Sequence, residues 1–156
     1  MANTYSNLNV HCVFAVKGRQ NLITGNFRDE LHRYLSGIIK RQNGFPLAVG
    51  GWLDHVHVFY EMHPDSKISD MMRVLKASSS KWINERNFIG AKFHWQEGYG
   101  TFSYTRSQRD NVIKYIMNQE ELHKAKTFRN EYLDLLKEFE VDYKEEYLFE
   151  FYNGEK

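Results

Sequence analysis

The stretch "FPLAVGGWLDHVHVFYEM", residues 45–62, decides the fold. It reads as two extended halves around Gly50-Gly51, a pair that tolerates the positive φ angles of a tight hairpin turn, so two antiparallel strands are expected. Side chains alternate across a strand. His55, His57 and Phe59 therefore project to one side, and Val56, Val58, Tyr60 and Met62 to the other, the side that helices are expected to cover. An apolar strand is a poor place for two imidazoles unless they are used. Two positions apart on one face, their Cα atoms lie about 6–7 Å from each other, close enough for both rings to converge on one ion. Taken alone, the pair equally describes surface or hydrogen-bonded histidines. A metal site needs a further ligand.

Working outward, "SNLNVHCVFAVKGR" (6–19) places Leu8, Val10, Cys12, Phe14 and Val16 on one face at period two, which predicts a strand. "GNFRDELHRYLSGIIKRQNG" (25–44) repeats apolar residues at Phe27, Leu31, Leu35 and Ile38/Ile39, with Asn26 as N-cap and Gly44 beyond the end; it predicts an amphipathic helix. After His63-Pro64, "SKISDMMRVLKASSSKWINERN" (66–87) keeps helical spacing through Ile68, Met71/Met72, Leu75, Ser79 and Trp82/Ile83. "EGYGTFSYT" (97–105) predicts a short strand opened by two glycines, and "SQRDNVIKYIMNQEELHK" (107–124) a third helix capped by Ser107. The order β-α-β-β-α-β plus a helix is the split βαβ pattern. The expected class is α+β: a ferredoxin-like antiparallel sheet with helices on one face, plus a further C-terminal helix. Another helix is expected in "FRNEYLDLLKEFE" (128–140). "YKEEYLFEFY" (143–152) is aromatic enough to pack on the domain or on a partner chain.

With 156 residues, 42% of them hydrophobic and 15% aromatic, the chain can bury one core but hardly two, so a single domain is expected, residues 1–126 carrying its body and 127–156 its tail. No apolar run approaches the roughly 20 residues that cross a bilayer, and "MANTYSNLNV" lacks the layout of a signal peptide. A soluble, cytoplasmic protein without a membrane partner is the expectation. The one cysteine, Cys12, lies in a strand and supplies neither an internal disulfide nor a zinc cluster alone. Charge divides unevenly: residues 1–119 hold 15 Lys/Arg against 9 Asp/Glu, and residues 120–156 hold 6 against 11. A basic body suits a polyanionic ligand, although solvated surface charge has the same composition.

The third helix holds a second constellation. In "NVIKYIMNQ", Val112, Ile113, Ile116 and Met117 form the expected core stripe, while Tyr115 and Gln119, one turn apart, share a flank. His11 is expected to neighbour the site within the sheet, and Asp54 to serve as a hydrogen-bonding or strand-edge residue. His32, His63, His94 and His123 read as ordinary histidines.

"DHVHVFYE", "GYGTFSYTRSQRDNVIKYIMNQEELHK" and "TFRNEY" together resemble the small single-tyrosine HUH transposases of bacterial insertion sequences, the TnpA type of the IS200-like family. The likeness covers nearly the whole chain. The HUH motif, His-hydrophobic-His, is met by His55-Val56-His57; the family's nucleophilic tyrosine matches Tyr115, and the helix residue completing its metal site matches Gln119. Relatives often carry a pair of histidines where this sequence has Leu122-His123.

The resemblance implies a catalytic domain over 1–126 and a metal-dependent enzyme that cleaves and rejoins single-stranded DNA through a covalent 5′-phosphotyrosine on Tyr115. Metal ligands would be His55, His57 and Gln119. Such a nitrogen and oxygen set with open positions suits Mg²⁺ or Mn²⁺, and it lacks the sulfur or third histidine of a typical zinc site. The implied partners are single-stranded DNA with hairpin ends and a second copy of the chain, a homodimer whose tyrosine helix can complete the partner's histidine site. Arg106, Arg109, Lys76 and Lys81 are candidate phosphate contacts, with solvated helix-surface charge as the alternative for each. Two other functions fit the same pattern: an HUH replication-type nickase, and a non-catalytic or domesticated palindrome-binding module of the same fold.

Overall fold

The elements run β1 (Asn9–Ala15), α1 (Arg28–Arg41), β2 (Phe45–Gly51), β3 (His55–Glu61), α2 (Ile68–Arg86), β4 (Gly100–Tyr104), α3 (Arg109–Met117), α4 (Gln119–Leu122) and α5 (Phe128–Glu138). The computed structural model describes residues 4–17 and 21–149; residues 150–152 of the aromatic C-terminal stretch lie outside them. The strands pair antiparallel in the order β2-β3-β1-β4, so β1 and β3 are central and buried along both faces. This is the α+β, ferredoxin-like sheet that the pattern predicts.

Strand alternation gives the sheet two different faces. On one, Val10, Cys12, Phe14 and Val16 of β1 and its extension join Val56, Val58 and Tyr60 of β3 beneath Leu31, Leu35, Ile38 and Ile39 of α1 and Met71, Met72, Leu75 and Ile83 of α2. Burial raises the Cys12 thiol to about 12, so it stays a protonated core residue. The opposite face is covered in two patches. Val13, Ala15 and Phe102 meet Phe128, Tyr132, Leu135 and Leu136 of α5, while Ala48 and Phe59 meet Val112 and Ile116 of α3. His55 and His57 lie on this second face, and both are fully buried.

Several local expectations change. Gly50 and Gly51 are not the hairpin turn: both belong to β2, paired to His57 and Val56, and the reversal falls at residues 52–54. Their missing side chains serve close approach. A Cβ on Gly50 would stand 2.4 Å from the Ile116 carbonyl oxygen, and one on Gly51 would stand 2.3 Å from that of His55. The first of these contacts lets the end of α3 press onto the sheet. Asn26 does not cap α1, which begins after Phe27 without a side-chain cap; at the other end Asn43 takes the left-handed conformation (φ 64°). Before α3, Thr105 rather than Ser107 makes the cap, sharing a capping box with Gln108. The expected single helix over 107–124 breaks at Asn118 into α3 and α4. Met117, expected in the core stripe, is 64% exposed, and Leu8 is 41% exposed.

These contacts set the sign of two glycine substitutions. Gly50→Ala has no room against the Ile116 backbone and should destabilise the protein by about 1–3 kcal/mol. Gly37→Ala, inside α1 with only Arg41 Nη1 at 3.6 Å from the added carbon, should stabilise by up to about 1 kcal/mol. Urea denaturation of both variants measures the difference, and equal midpoints would contradict the close approach of α3.

Candidate metal centre

β3 holds both imidazoles by their outer nitrogens. His55 Nδ1 lies 2.8 Å from Asp54 Oδ1, and His57 Nδ1 lies 2.8 Å from Nε2 of His11 on β1. Asp54 and His11 thus take the supporting places expected of them. The Nε2 atoms of His55 and His57 both turn toward the face covered by α3, α4 and α5. There, the break at Asn118 starts α4 with Gln119, which is 2% exposed, and Gln119 Oε1 lies 2.8 Å from His55 Nε2. One turn later His123 joins: its Nε2 is 3.0 Å from Gln119 Oε1, while its Nδ1–H donates to the Lys126 carbonyl at 2.8 Å.

The centre of this group is a carboxylate from α5. Thr127 caps that helix by accepting from the Asn130 N–H at 3.1 Å, and Glu131, one turn in, points inward and is 3% exposed. Glu131 Oε1 lies 3.3 Å from His55 Nε2 and 3.1 Å from His123 Nε2; Oε2 lies 3.2 Å from His57 Nε2. Gln119 Nε2 donates to Oε2 at 2.8 Å, and the Tyr115 hydroxyl donates to the same oxygen. Phe128 stacks flat on His55, with ring centroids 3.9 Å apart. Atoms of His55, His57 and Glu131 lie within 4.8 Å of one another, a cluster able to hold an ion.

The electrostatics follow from burial and this one charge. Burial lowers the affinity of His55 for a proton, but the hydrogen bonds and charges of Asp54 and Glu131 outweigh it and raise the pKa to about 10. For His57 and His11, burial prevails and both titrate below the ordinary histidine range. Burial pushes Glu131 upward, yet the charge of His57 and hydrogen bonds from His123, His55 and His57 hold it well below the usual carboxylate range. Tyr115 is raised far above an ordinary phenol, by burial first and then by the Glu131 charge and hydrogen bond. In this state the phenol is a neutral hydrogen-bond donor.

The residues fit a cation. His57 Nε2 and Glu131 Oε1 are buried without an aligned hydrogen-bond partner, a costly condition for groups so far from water. An ion among the nitrogens and the carboxylate satisfies both. The ligand atoms are imidazole nitrogen, carboxylate and amide oxygen, all suited to divalent metals.

Tyr115, Gln119, His55 and His57 therefore meet within one chain, Tyr115 and His57 with ring centroids 5.5 Å apart. A cleft of about 410 Å³ reaches Tyr115 and Glu131 past Tyr104, Gln108, Asn111 and Lys126. The four basic residues are more scattered. Arg109 is tied into the fold, its Nε donating to Asn9 Oδ1 at 2.7 Å and its Nη2 pairing with Glu61. Lys76 Nζ donates to the carbonyls of Gln96 and Gly98 at 2.9 and 2.5 Å. Arg106 and Lys81 are exposed. Glu131 and His123 escaped the sequence reading. The available signals were an acid on the apolar stripe Phe128, Tyr132, Leu135, Leu136, and a histidine four residues after Gln119.

Comparisons with known proteins bear on the family and the fold. Residues 4–119 match the family model described as "Transposase IS200 like". The "Transposase for insertion sequence element IS200" of Salmonella typhimurium is 27% identical over 130 residues, spanning 78% of this chain and 85% of that protein. The "ISDra2 transposase TnpA" of Deinococcus radiodurans is 27% identical over 120 residues, spanning 72% and 84%. In fold, the chain resembles a putative transposase from Deinococcus radiodurans (TM-score 0.60, 22% identity, covering 76% of this chain and 95% of that one). It also resembles a REP-associated tyrosine transposase bound to a REP hairpin (TM-score 0.59, 13% identity, covering 79% and 73%). The motif order, the sheet and the match over 4–119 lead to one conclusion: the chain belongs to the IS200-like transposase family.

Proposed function

We propose that this transposase cleaves and rejoins single-stranded DNA at the ends of an insertion sequence, with Tyr115 as nucleophile. The observation that carries the reading is the meeting of the Tyr115 hydroxyl with the Glu131 carboxylate that lies among His55, His57 and Gln119. A nucleophile and a cluster of metal-binding atoms thus share one buried point at the end of an open cleft.

In the reaction, Tyr115 Oη forms a bond to phosphorus and the bond from phosphorus to the 3′-oxygen breaks. The phenol loses a proton and the departing 3′-oxygen gains one, so the products are a 5′-phosphotyrosine and a free 3′-hydroxyl. Attack of a 3′-hydroxyl on that link reverses the exchange and joins strands without ATP. A divalent ion, Mg²⁺ or Mn²⁺ in the simplest reading, would be held by His55, His57 and Gln119 and would supply charge stabilisation at the phosphate. Asp54 and His11 fix the two imidazoles in orientation. Glu131 orients the Tyr115 hydroxyl, and Gln119 positions Glu131. Phe128, stacked on His55, excludes water from that side.

Hairpin-bearing DNA is the proposed substrate, supported by the family and by a hairpin-bound relative of the same fold. Phosphate contacts are assigned first to the exposed Arg106 and Lys81; Arg109 and Lys76 have internal partners to give up before they serve. A homodimer would bring two such sites to two DNA ends.

The direct test incubates the protein with labelled hairpin-bearing single-stranded DNA and Mg²⁺ or Mn²⁺, then denatures it. A covalent adduct should form with the unaltered chain and disappear with Tyr115→Phe and with His57→Ala, while hairpin binding in a mobility-shift assay persists. Binding with no adduct under any metal would favour the non-catalytic module. Metal removal gives an independent check: EDTA should abolish the adduct and excess Mn²⁺ should restore it, whereas an adduct that persists through chelation would remove the ion from the reaction.

A further inference from the structure

We infer that His123 and Glu131 bind the same ion as His55 and His57, making a three-imidazole, one-carboxylate centre that prefers a nitrogen-seeking first-row transition ion, such as Co²⁺, Ni²⁺ or Zn²⁺, over Mg²⁺. This deepens the reading of His55 and His57 as metal ligands and rests on it.

Three imidazoles converge on one carboxylate. His123 Nδ1–H donates to a backbone carbonyl, that of Lys126, which accepts only. Its Nε2 faces Gln119 Oε1 at 3.0 Å and Glu131 Oε1 at 3.1 Å. Both neighbours are acceptors. His55 repeats the arrangement: Nδ1–H to the Asp54 carboxylate, and Nε2 facing Gln119 Oε1 at 2.8 Å and Glu131 Oε1 at 3.3 Å. The Gln119 amide is fixed in this orientation, because turned over its oxygen would stand against Glu131 Oε2, to which its nitrogen now donates. The Nε2 atoms of two imidazoles, an amide oxygen and a carboxylate thus converge in a water-poor interior. A cation that displaces the imidazole protons takes their place among these atoms.

The spacing of His55, His57 and Glu131 fits an ion, and His123 joins them through Glu131 Oε1. Ligand bonds of about 2.1 Å make adjacent ligand atoms about 3.0 Å apart in an octahedron and about 3.4 Å apart in a tetrahedron. The contacts between Nε2 atoms and the oxygens of Gln119 and Glu131 run from 2.8 Å to 3.3 Å. His57 contributes the third nitrogen, at 3.2 Å from Glu131 Oε2 and without an aligned partner of its own. Each of the three rings is held from behind by an oxygen or nitrogen on its Nδ1, the outer support characteristic of histidine ligands.

Ion class follows from the ligand count. Mg²⁺ takes oxygen ligands and parts with its water reluctantly, whereas affinity for imidazole nitrogen rises along the first row toward Cu²⁺ and stays high for Zn²⁺. The set His55, His57 and Gln119 alone suits Mg²⁺ or Mn²⁺; His123 adds the third histidine.

The test titrates EDTA-stripped and dialysed full-length protein, without DNA, with Zn²⁺, Co²⁺ and Mg²⁺. Zn²⁺ should bind at one ion per chain, at least about 1000-fold more tightly than Mg²⁺. His123→Gln should weaken Zn²⁺ by about 10- to 100-fold and change the Co²⁺ visible spectrum, with far-UV circular dichroism in EDTA matching the unaltered chain. A measurement needing no variant accompanies it: long-range ¹H–¹⁵N spectra should show the Nε2 resonances of His55, His57 and His123 all shifting with Zn²⁺. Unchanged Zn²⁺ affinity and Co²⁺ spectrum in His123→Gln, or a shift confined to His55 and His57, overturns the assignment. The two readings fail separately. A Tyr115 adduct formed in Mg²⁺ with His123 uninvolved overturns this centre and leaves strand transfer standing; the three-imidazole Zn²⁺ signature without any adduct supports the centre and removes strand transfer.

Discussion

A single buried carboxylate governs the second half of this protein. Ionised Glu131 lies 3% exposed beneath the sheet, a placement that costs several kcal/mol unless it is answered by opposite charge and hydrogen bonds. Three imidazoles, the Gln119 amide and the Tyr115 hydroxyl answer it. The same contacts fix the rotation of α5 about its axis. With Glu131 pointing at the histidines, Phe128 falls on His55, and Tyr132, Leu135 and Leu136 fall on the Val13, Ala15 and Phe102 patch. Removing one partner of a buried ionic cluster typically costs about 3–5 kcal/mol, a large share of the roughly 5–15 kcal/mol by which domains are stable. The site and the packing of α5 are therefore one structure.

The sheet separates what must be stable from what must react. Its α1/α2 face is almost wholly apolar and accommodates Tyr60 and Trp95 as its polar-tipped members. On the other face, polar residues occupy a seam between two smaller apolar patches, with α5 on one side and α3 on the other. Gly50 is the joint of this arrangement, because its bare backbone lets the Ile116 turn of α3 settle against β2. Tyr115 is the preceding residue and Gln119 follows one turn later. A side chain at position 50 would lift both from the histidines.

Sequence periodicity made the first face legible and only half of the second. Alternation in β1 and β3 and the 3.6-residue spacing of α1 and α2 are strong because one side of each element is consistently apolar, and the strand order follows from connection rules. His55, His57, Tyr115 and Gln119 stood out as polar residues in regular positions, recognisable together through a family resemblance. Glu131 did not, since a Glu within "FRNEYLDLLKEFE" looks like ordinary helix-surface charge until the helix is turned by its aromatic contacts. Gly50-Gly51 misled for a similar reason. Paired glycines permit positive φ, and they also permit close approach; choosing between the two requires knowing that Ile116 of α3, far along the chain, arrives at Gly50. The break at Asn118 was equally hidden, because an asparagine is tolerated both inside helices and at their ends.

The division of charge along the chain takes on another meaning once α5 is in place. The acidic stretch 120–156 suggested a tail apart from a basic body, yet α5 within it lies across the reactive face and contributes Asp134 and Glu138 to the cleft beside Tyr115. Lys126, also lining that cleft, is paired with Asp134 at 2.5 Å and offers little charge to a newcomer. A phosphate approaching along α5 meets like charge at close range, where repulsion is least screened. The opposite wall differs: Gln108 and Asn111 are neutral, and Arg106, exposed in the turn that leads into α3, lies two residues from Gln108. Under the proposed strand transfer, electrostatics favour the α3 wall as the side that would receive a DNA backbone, with α5 behind the reacting phosphate.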